Sequence, residues 1–168
     1  MPVSIDDFRD VMSRWCSGLT VITVRHDEQI HGMAASSFAG VSVDPLTVLV
    51  CADHQTRTYP LLKAAGAFAV NLLTADQEET FRVFAGQRGG RGADKFAGEP
   101  TTTAATGAPI LTESLAWLDC RVLADYPGGK THSIVVGEVL AAGLGAGAGR
   151  PPLIYFHRKV RHLADPDG

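Results

Sequence analysis

The residues with the most to say about chemistry run through His31-Gly32-Met33-Ala34-Ala35-Ser36-Ser37-Phe38 and on to Asp44-Pro45. Gly32, Ala34 and Ala35 leave the backbone bare enough for a flat ring to approach it closely. Ser36 and Ser37 follow with hydroxyls and amides that suit a polar ring edge or a phosphate chain. The same small residues would equally serve a tight barrel strand, and on residue types alone the two readings stand level. His132 is a second candidate. It follows the turn signal Tyr126-Pro127-Gly128-Gly129 and opens an apolar run, which places it at a rim, where an imidazole can bond a carboxamide or a phosphate. Arg57 and Arg88 are charge-assisted donors suited to phosphate, with a solvated surface charge as the ordinary alternative for each.

Other chemistries lack their residues. Gly143-Leu144-Gly145-Ala146-Gly147-Ala148 approaches a dinucleotide fingerprint, but that motif needs a strand before it and a helix after it. Arg150-Pro151-Pro152 cannot open such a helix, so the run reads as a hairpin loop. Gly86 to Gly92 has no lysine and hydroxyl pair for a P-loop. The histidines His26, His31, His54, His132, His157 and His162 form no H-x-x-x-H and sit beside no cysteine, so no metal site is expected. No G-x-S-x-G elbow is present. A reaction carried by an organic cofactor needs little of this apparatus.

Composition narrows the class. The 168 residues are 45% hydrophobic and 20% charged, enough to bury one core without staples, so one domain over residues 1–168 is expected. Fifteen Lys+Arg against eighteen Asp+Glu leave a net charge of −3, which offers no basic face to nucleic acid or membrane. Cys16, Cys51 and Cys120 are odd in number and widely spaced, and read as buried thiols in a reducing cytoplasm. The opening from Met1 to Asp7 has neither basic head nor apolar run, so no leader is expected. No apolar stretch reaches the ~18 residues of a membrane span.

The elements that must position these residues are mostly strands. Ser4 can cap a first helix, with Phe8, Val11, Met12 and Trp15 as its apolar face and Gly18 as its stop. Strands are expected at Leu19 to Val24, Leu46 to Ala52, Ala67 to Leu73, Leu115 to Ala124, His132 to Leu140 and Leu153 to His157, and an extended segment at Ile30 to Phe38. Short helices are expected at Thr56 to Ala65, stopped by Gly66, and from the capping box Thr74 to Gln77 through Ala85. Gly86 to Gly92, Gly98 to Ala108 and Ala141 to Arg150 read as loops. Consecutive strands without crossover helices favour a closed antiparallel barrel with short helices over a doubly wound sheet.

The segment His31 to Pro45, with Leu49-Val50-Cys51-Ala52 after it, resembles the short-chain flavin reductases of two-component monooxygenases. Their pattern is roughly H-G-[MF]-T-A-S-S-F-x-S-V-S-x-D-P-P-L-V-L-V-C. The resemblance continues in order through Trp15-Cys16-Ser17-Gly18-Leu19-Thr20, Phe68-Ala69-Val70-Asn71-Leu72-Leu73, Phe84-Ala85, Asp94-Lys95-Phe96-Ala97-Gly98, Trp117-Leu118-Asp119-Cys120, Gly137-Glu138-Val139 and Pro152-Leu153-Ile154-Tyr155-Phe156. Among subgroups, the chain resembles the reductases serving aromatic-polyketide oxygenases.

The resemblance implies a mainly β, homodimeric split barrel with flavin near the dimer interface. It implies hydride transfer from NADH or NADPH to N5 of FMN or FAD, and release of reduced flavin to a monooxygenase. By position it places flavin contacts at Ile30, His31, Gly32, Met33, Ala34, Ser36 and Ser37. Further contacts are Cys51, Ala52, Asp53, Arg57 and Thr58, then Val83, Phe84, Ala85, Gly86, Gln87, Arg88 and Gly89. Asn71 is a weaker candidate, since a buried strand amide can simply satisfy backbone. The nicotinamide is placed at His132, Ser133, Ile134 and Val135, with His132 matching the histidine of a G-D-H motif. Two departures stand out: Gly129-Lys130-Thr131-His132 replaces Gly-Asp-His, and Ala34 replaces a usual threonine. The alternatives are a flavin- or haem-binding barrel without turnover and an oxidase similar to those acting on pyridoxamine phosphate.

Overall fold

A computed structural model describes residues 2–163; Met1, the first residue of the stretch read as lacking a leader, and residues 164–168 of the single-domain expectation lie outside the described residues. Helix α1 (Ile5–Ser13) starts at Ser4, whose Oγ accepts from the Asp7 amide at 3.0 Å. The chain then makes β1 (Ser17–Gly18), β2 (Thr20–His26), β3 (Gln29–Ala35), β4 (Phe38–Val43) and β5 (Leu46–Asp53). Helix α2 (Thr58–Ala65) ends at Gly66, whose φ of 62° is the left-handed stop its missing Cβ permits. There follow β6 (Ala67–Leu72), α3 (Glu78–Phe84), the short pair β7 (Thr101–Thr102) and β8 (Ile110–Leu111), and the long hairpin β9 (Ala116–Pro127) and β10 (His132–Leu144). A small hairpin, β11 (Ile154–Phe156) and β12 (Lys159–Arg161), comes last.

Seven strands form one antiparallel sheet in the order β3-β2-β6-β9-β10-β5-β4. Its curled inner face buries Ile22, Val24, Met33, Val50, Phe68, Val70 and Val135, donated alternately by successive strands. Hydrogen bonds do not close the barrel. Its two edge strands, β3 and β4, are consecutive in the chain and joined only by Ser36-Ser37, so the barrel is split there. A second layer covers β2 and β3 from outside, with Phe84 and Phe96 packed among Leu19, Val21 and Leu153. A Cβ on Gly32 would lie 2.7 Å from the Phe84 ring, so only glycine lets α3 sit this close to β3.

Several expectations need correction. Helix α1 stops at Ser13, and Gly18 instead pairs with Ile154 in β1. Its intended core face is exposed, with Phe8 at 60% and Trp15 at 71%, because none of the described residues covers it. Cys16 is exposed in the link that follows, Cys51 is half-buried, and only Cys120 is buried, its thiol pushed up to about 12 by burial. Strand β10 runs on to Leu144 through residues read as loop. Their smallness serves packing: Gly143 lies under the Trp117 ring, and Gly145 and Gly147 press on the carbonyls of Ser114 and Glu113. Strand β9 runs to Pro127, so the turn is shifted to Gly128–Thr131. Strands β1, β7, β8 and β12 were not expected, nor was β4, whose first residue alone falls in the extended segment read at Ile30 to Phe38.

Asn71 does structural work. Its amide nitrogen donates to the Val21 carbonyl at 3.0 Å and its oxygen accepts from the Leu111 amide at 2.8 Å. With Thr23 donating to the Pro109 carbonyl, it lays the 109–111 segment against the sheet. Asn71→Ala leaves buried backbone groups unpartnered and is expected to cost at least about 2 kcal/mol in urea unfolding, with flavin affinity per folded molecule unchanged. A loss of affinity with full stability would place Asn71 in the site instead.

Candidate active site

Strand β3 pairs with β2 alone, so its other edge keeps backbone N–H and C=O groups outside the ladder. Two adjoining cavities lie along it. The larger, of about 610 Å³, has Ala34, Ala35 and Ser36 on one wall and Phe81, Arg82, Ala85 and Gln87 on another, with Tyr155, Arg158, Lys159 and Val160 closing it from the terminal hairpin. The smaller, of about 240 Å³, is lined by His31, Gly32, Met33, Thr56, Arg57, Thr58, Ala85, Gly86, Gly90, Arg91 and Lys95. Ala85 borders both.

The smaller cavity is cationic. Lys95 is 9% exposed, and its Nζ donates to the carbonyls of Gly32 at 3.3 Å and Phe84 at 3.2 Å. Burial lowers its pKa. Arg57 is the N-cap of α2 and its own side chain makes no capping bond, the Thr56 hydroxyl accepting from the Tyr59 amide at 3.4 Å instead; Thr56, Arg57 and Thr58 at this helix start line the same space. Arg57, Arg91 and Lys95 beside a helix start are groups of the kind that suit an anion such as phosphate. His31 accepts its place among them by staying neutral. Burial first, then the charges of Lys95 and Arg57, lower its pKa from the ordinary 6.5, while Nδ1 lies 2.8 Å from the buried Thr58 hydroxyl.

The structure therefore gathers His31, Gly32, Met33, Ala34, Ser36, Arg57, Thr58, Ala85, Gly86 and Gln87 around one groove, with Ile30 just beyond it beside Arg57. Phe84 is buried beneath Gly32, and Val83 is half-buried on α3. Ser37 lines a neighbouring cavity and its hydroxyl donates to the Cys51 carbonyl at 3.3 Å. Cys51, Ala52 and Asp53 border neither β3 cavity; Ala52 is buried, and Asp53 accepts from the Gln55 amide at 2.9 Å. Arg88 also lies outside both cavities, paired with Glu79 at 2.9 Å, and Gly89 next to it is exposed. His132 stands exposed at the rim opposite Asp53. Ser133 is buried, bonded to His54 at 3.0 Å and Tyr59 at 2.8 Å. Ile134 is half-buried, and Val135 faces the core.

Sequence reasoning did not single out Lys95, Arg91, Arg82 or the Tyr155–Val160 wall as site residues. Lys95 carried a signal, since it stands in the Asp94-Lys95-Phe96 landmark. The hairpin carried little, because its turn uses His157 and Arg158 at φ of 51° and 58°, a left-handed conformation unusual outside glycine.

A cationic pocket beside a larger cavity on a bare strand edge suits a nucleotide cofactor, and the chain was compared with known proteins. The pattern of the flavin reductase like domain matches residues 12–164. The chain belongs to this family. It is 39% identical over 132 residues, 79% of its length and 68% of the relative's, to HsaB, the reductase subunit of a flavin-dependent monooxygenase from Mycobacterium tuberculosis. It is 36% identical to the reductase component of a 4-hydroxyphenylacetate 3-monooxygenase from Thermus thermophilus, over 95% of this chain and 97% of that one. The NADH:FAD oxidoreductase SgcE6 from Streptomyces globisporus, solved with NAD and FAD fragments, superposes with a TM-score of 0.86 at 30% identity, covering 100% and 99% of the two chains.

The lowered pKa of His31 gives a pH signature. Below about pH 6.5 the unfolded chain takes up the proton before the folded one does, so the stability present above that pH is lost as the pH falls. His31→Gln is expected to flatten this part of the profile in urea unfolding at descending pH. Equal slopes in both proteins would mean that His31 charges freely within the fold.

Proposed function

We propose that the chain is a single-domain NAD(P)H-dependent flavin reductase that supplies reduced FMN or FAD to a partner monooxygenase. The observation that carries this is the contact between a cationic pocket and a bare-walled cavity along one strand edge. Gly32, Ala34 and Ala35 leave room for a flat ring, and Arg57, Arg91 and Lys95 offer the charge a flavin phosphate requires. Bound flavin supplies the chemistry, a ring that accepts hydride from NADH or NADPH and leaves reduced. The protein's own work is binding and orientation. Neutral His31 adds no further charge to a pocket already holding three cations, while His132 at the rim offers its imidazole to the nicotinamide.

A second copy completes the site in this reading. The apolar side of α1 is uncovered, and Phe8, Met12 and Trp15 line a cavity of about 350 Å³ that also takes in Ser36, Ser37, Tyr155 and Arg158. Covering that face would bury the exposed aromatics and add a wall next to the ring cavity. Three free thiols, and no helix among the described residues long and apolar enough to cross a membrane, go with work in the reducing cytoplasm.

Oxidation of NADH with and without added FMN tests the activity; flavin-independent oxidation, or none at all, would overturn it. Arg57→Ala is expected to weaken FMN roughly tenfold or more in fluorescence titration and riboflavin, which has no phosphate, far less. Equal losses would take Arg57 away from the phosphate. His132→Ala is expected to raise the NADH KM roughly three- to tenfold, the scale of one hydrogen bond, at constant flavin Kd. Anaerobic stopped-flow reduction checks this, and an unchanged NADH dependence removes His132 from the site. In light scattering the protein is expected as a dimer and Trp15→Glu as a weakened one; an active monomer of the unaltered chain would refute the shared site.

A further inference from the structure

The end of the β5–β10 pair holds a side-chain network that lies outside the two β3 cavities. Side chains from α2, β9, β10 and the link after β5 meet in it. The Tyr59 hydroxyl donates to the Asp125 carboxylate at 2.9 Å and lies 2.8 Å from the Ser133 hydroxyl. His54 Nε2 lies 3.0 Å from the same Ser133 oxygen, and its ring stacks on Tyr59 with centroids 4.6 Å apart. Lys63 stands 3.9 Å from Asp125. A carboxylate can only accept, so the hydrogen bonds run in one direction. Tyr59 donates to Asp125, Ser133 donates to the Tyr59 oxygen, and His54 donates through Nε2 to Ser133.

The network joins two parts of the site. His54 and Tyr59 flank Thr56, Arg57 and Thr58, which line the cationic pocket. Ser133 follows His132 directly, and the His54 amide donates to the Thr131 carbonyl at 2.9 Å. Residues 54–59 thus serve the pocket with their middle and hold the rim with their ends. The rim has little to hold itself. Its 128–131 turn contains Gly128 and Gly129, the second at a φ of 134°, and Lys130 and Thr131 are exposed. The Gly128 amide bonds the His132 carbonyl at 2.9 Å, a tie internal to the turn. Ser133 is 4% exposed. An apolar side chain would fill such a place without any polar group to satisfy, so what the hydroxyl adds is direction.

We propose that Tyr59 is a positioning residue for the hydride donor: its hydroxyl, through Ser133, fixes His132 relative to Arg57. This rests on the reading above that His132 meets the nicotinamide and Arg57 the flavin phosphate. Tyr59 lines neither β3 cavity and acts through its neighbours. With the tie intact, His132 is in place before NADH arrives, and little ordering of the Gly-rich turn remains to oppose binding. Without it the turn moves, and NADH binding is opposed by the ordering the turn then requires. The cationic pocket, walled by β3, the start of α2 and Lys95, keeps its shape.

The test is a double-mutant cycle on Tyr59→Phe and His132→Ala, read by anaerobic stopped-flow reduction of bound FMN by NADH. Tyr59→Phe keeps the ring that stacks on His54 and removes only the hydroxyl. It is expected to raise the half-saturating NADH concentration about threefold, no more than His132→Ala does, at constant FMN Kd. In the His132→Ala background it is expected to add nothing, because it acts through His132. A hydroxyl with a purely structural role would lower the urea midpoint and leave the NADH dependence as it was, which would overturn the proposal. Full additivity of the two changes, or an equal loss of FMN affinity, would overturn it as well. Asp125→Ala, at an exposed position, removes the acceptor that orients Tyr59. It is expected to give the same readings and decides the matter if circular dichroism shows Tyr59→Phe unfolded. If His132→Ala alone leaves the NADH dependence unchanged, the underlying reading of the rim fails, and the proposal fails with it.

Discussion

A strand bonded on only one side governs the rest of this molecule. An unpaired edge invites pairing with foreign strands and is usually blunted or covered. Here β3 keeps its edge free of sheet partners, and the second layer is built around it. Gly32 admits Phe84, which brings α3 down onto the strand. Lys95 then takes the Gly32 carbonyl from the open side. The edge is shielded from other chains yet open to a ligand narrow enough to enter between the layers.

That choice sets the electrostatics. A buried ammonium next to two arginines raises the cost of any further charge in the same small space, and His31 responds by remaining neutral. Within the cluster Lys95 is bonded to two carbonyls. The end of the β5–β10 pair, where His132 faces Asp53 and Ser133 is tied to His54 and Tyr59, borders neither of the β3 cavities and is built on hydrogen bonds.

Much of this was legible in residue order. The β-branched runs gave β2, β5 and β6 to within about two residues, and the small residues from Gly32 to Ala35 marked the bare strand. The capping box at Thr74 marked the 3₁₀ turn at Ala75–Gln77 that leads into α3. The unread parts share a cause: their residues answer to distant neighbours. Gly143, Gly145 and Gly147 look like a flexible loop until Trp117 and Ser114 are seen against them. Lys95 looks like a surface lysine until the strand that accepts from it is in place. Phe8 and Trp15 have helical spacing for a core that the described residues do not supply.

Lys95 has a kinetic consequence as well. By bonding one carbonyl of β3 and one of α3, it rivets the two walls of the cleft together before any ligand arrives. Little conformational entropy then remains to be lost on association, and no hinge has to swing open for departure. For a reductase whose product is handed on rather than kept, walls tied together in advance favour rapid exchange.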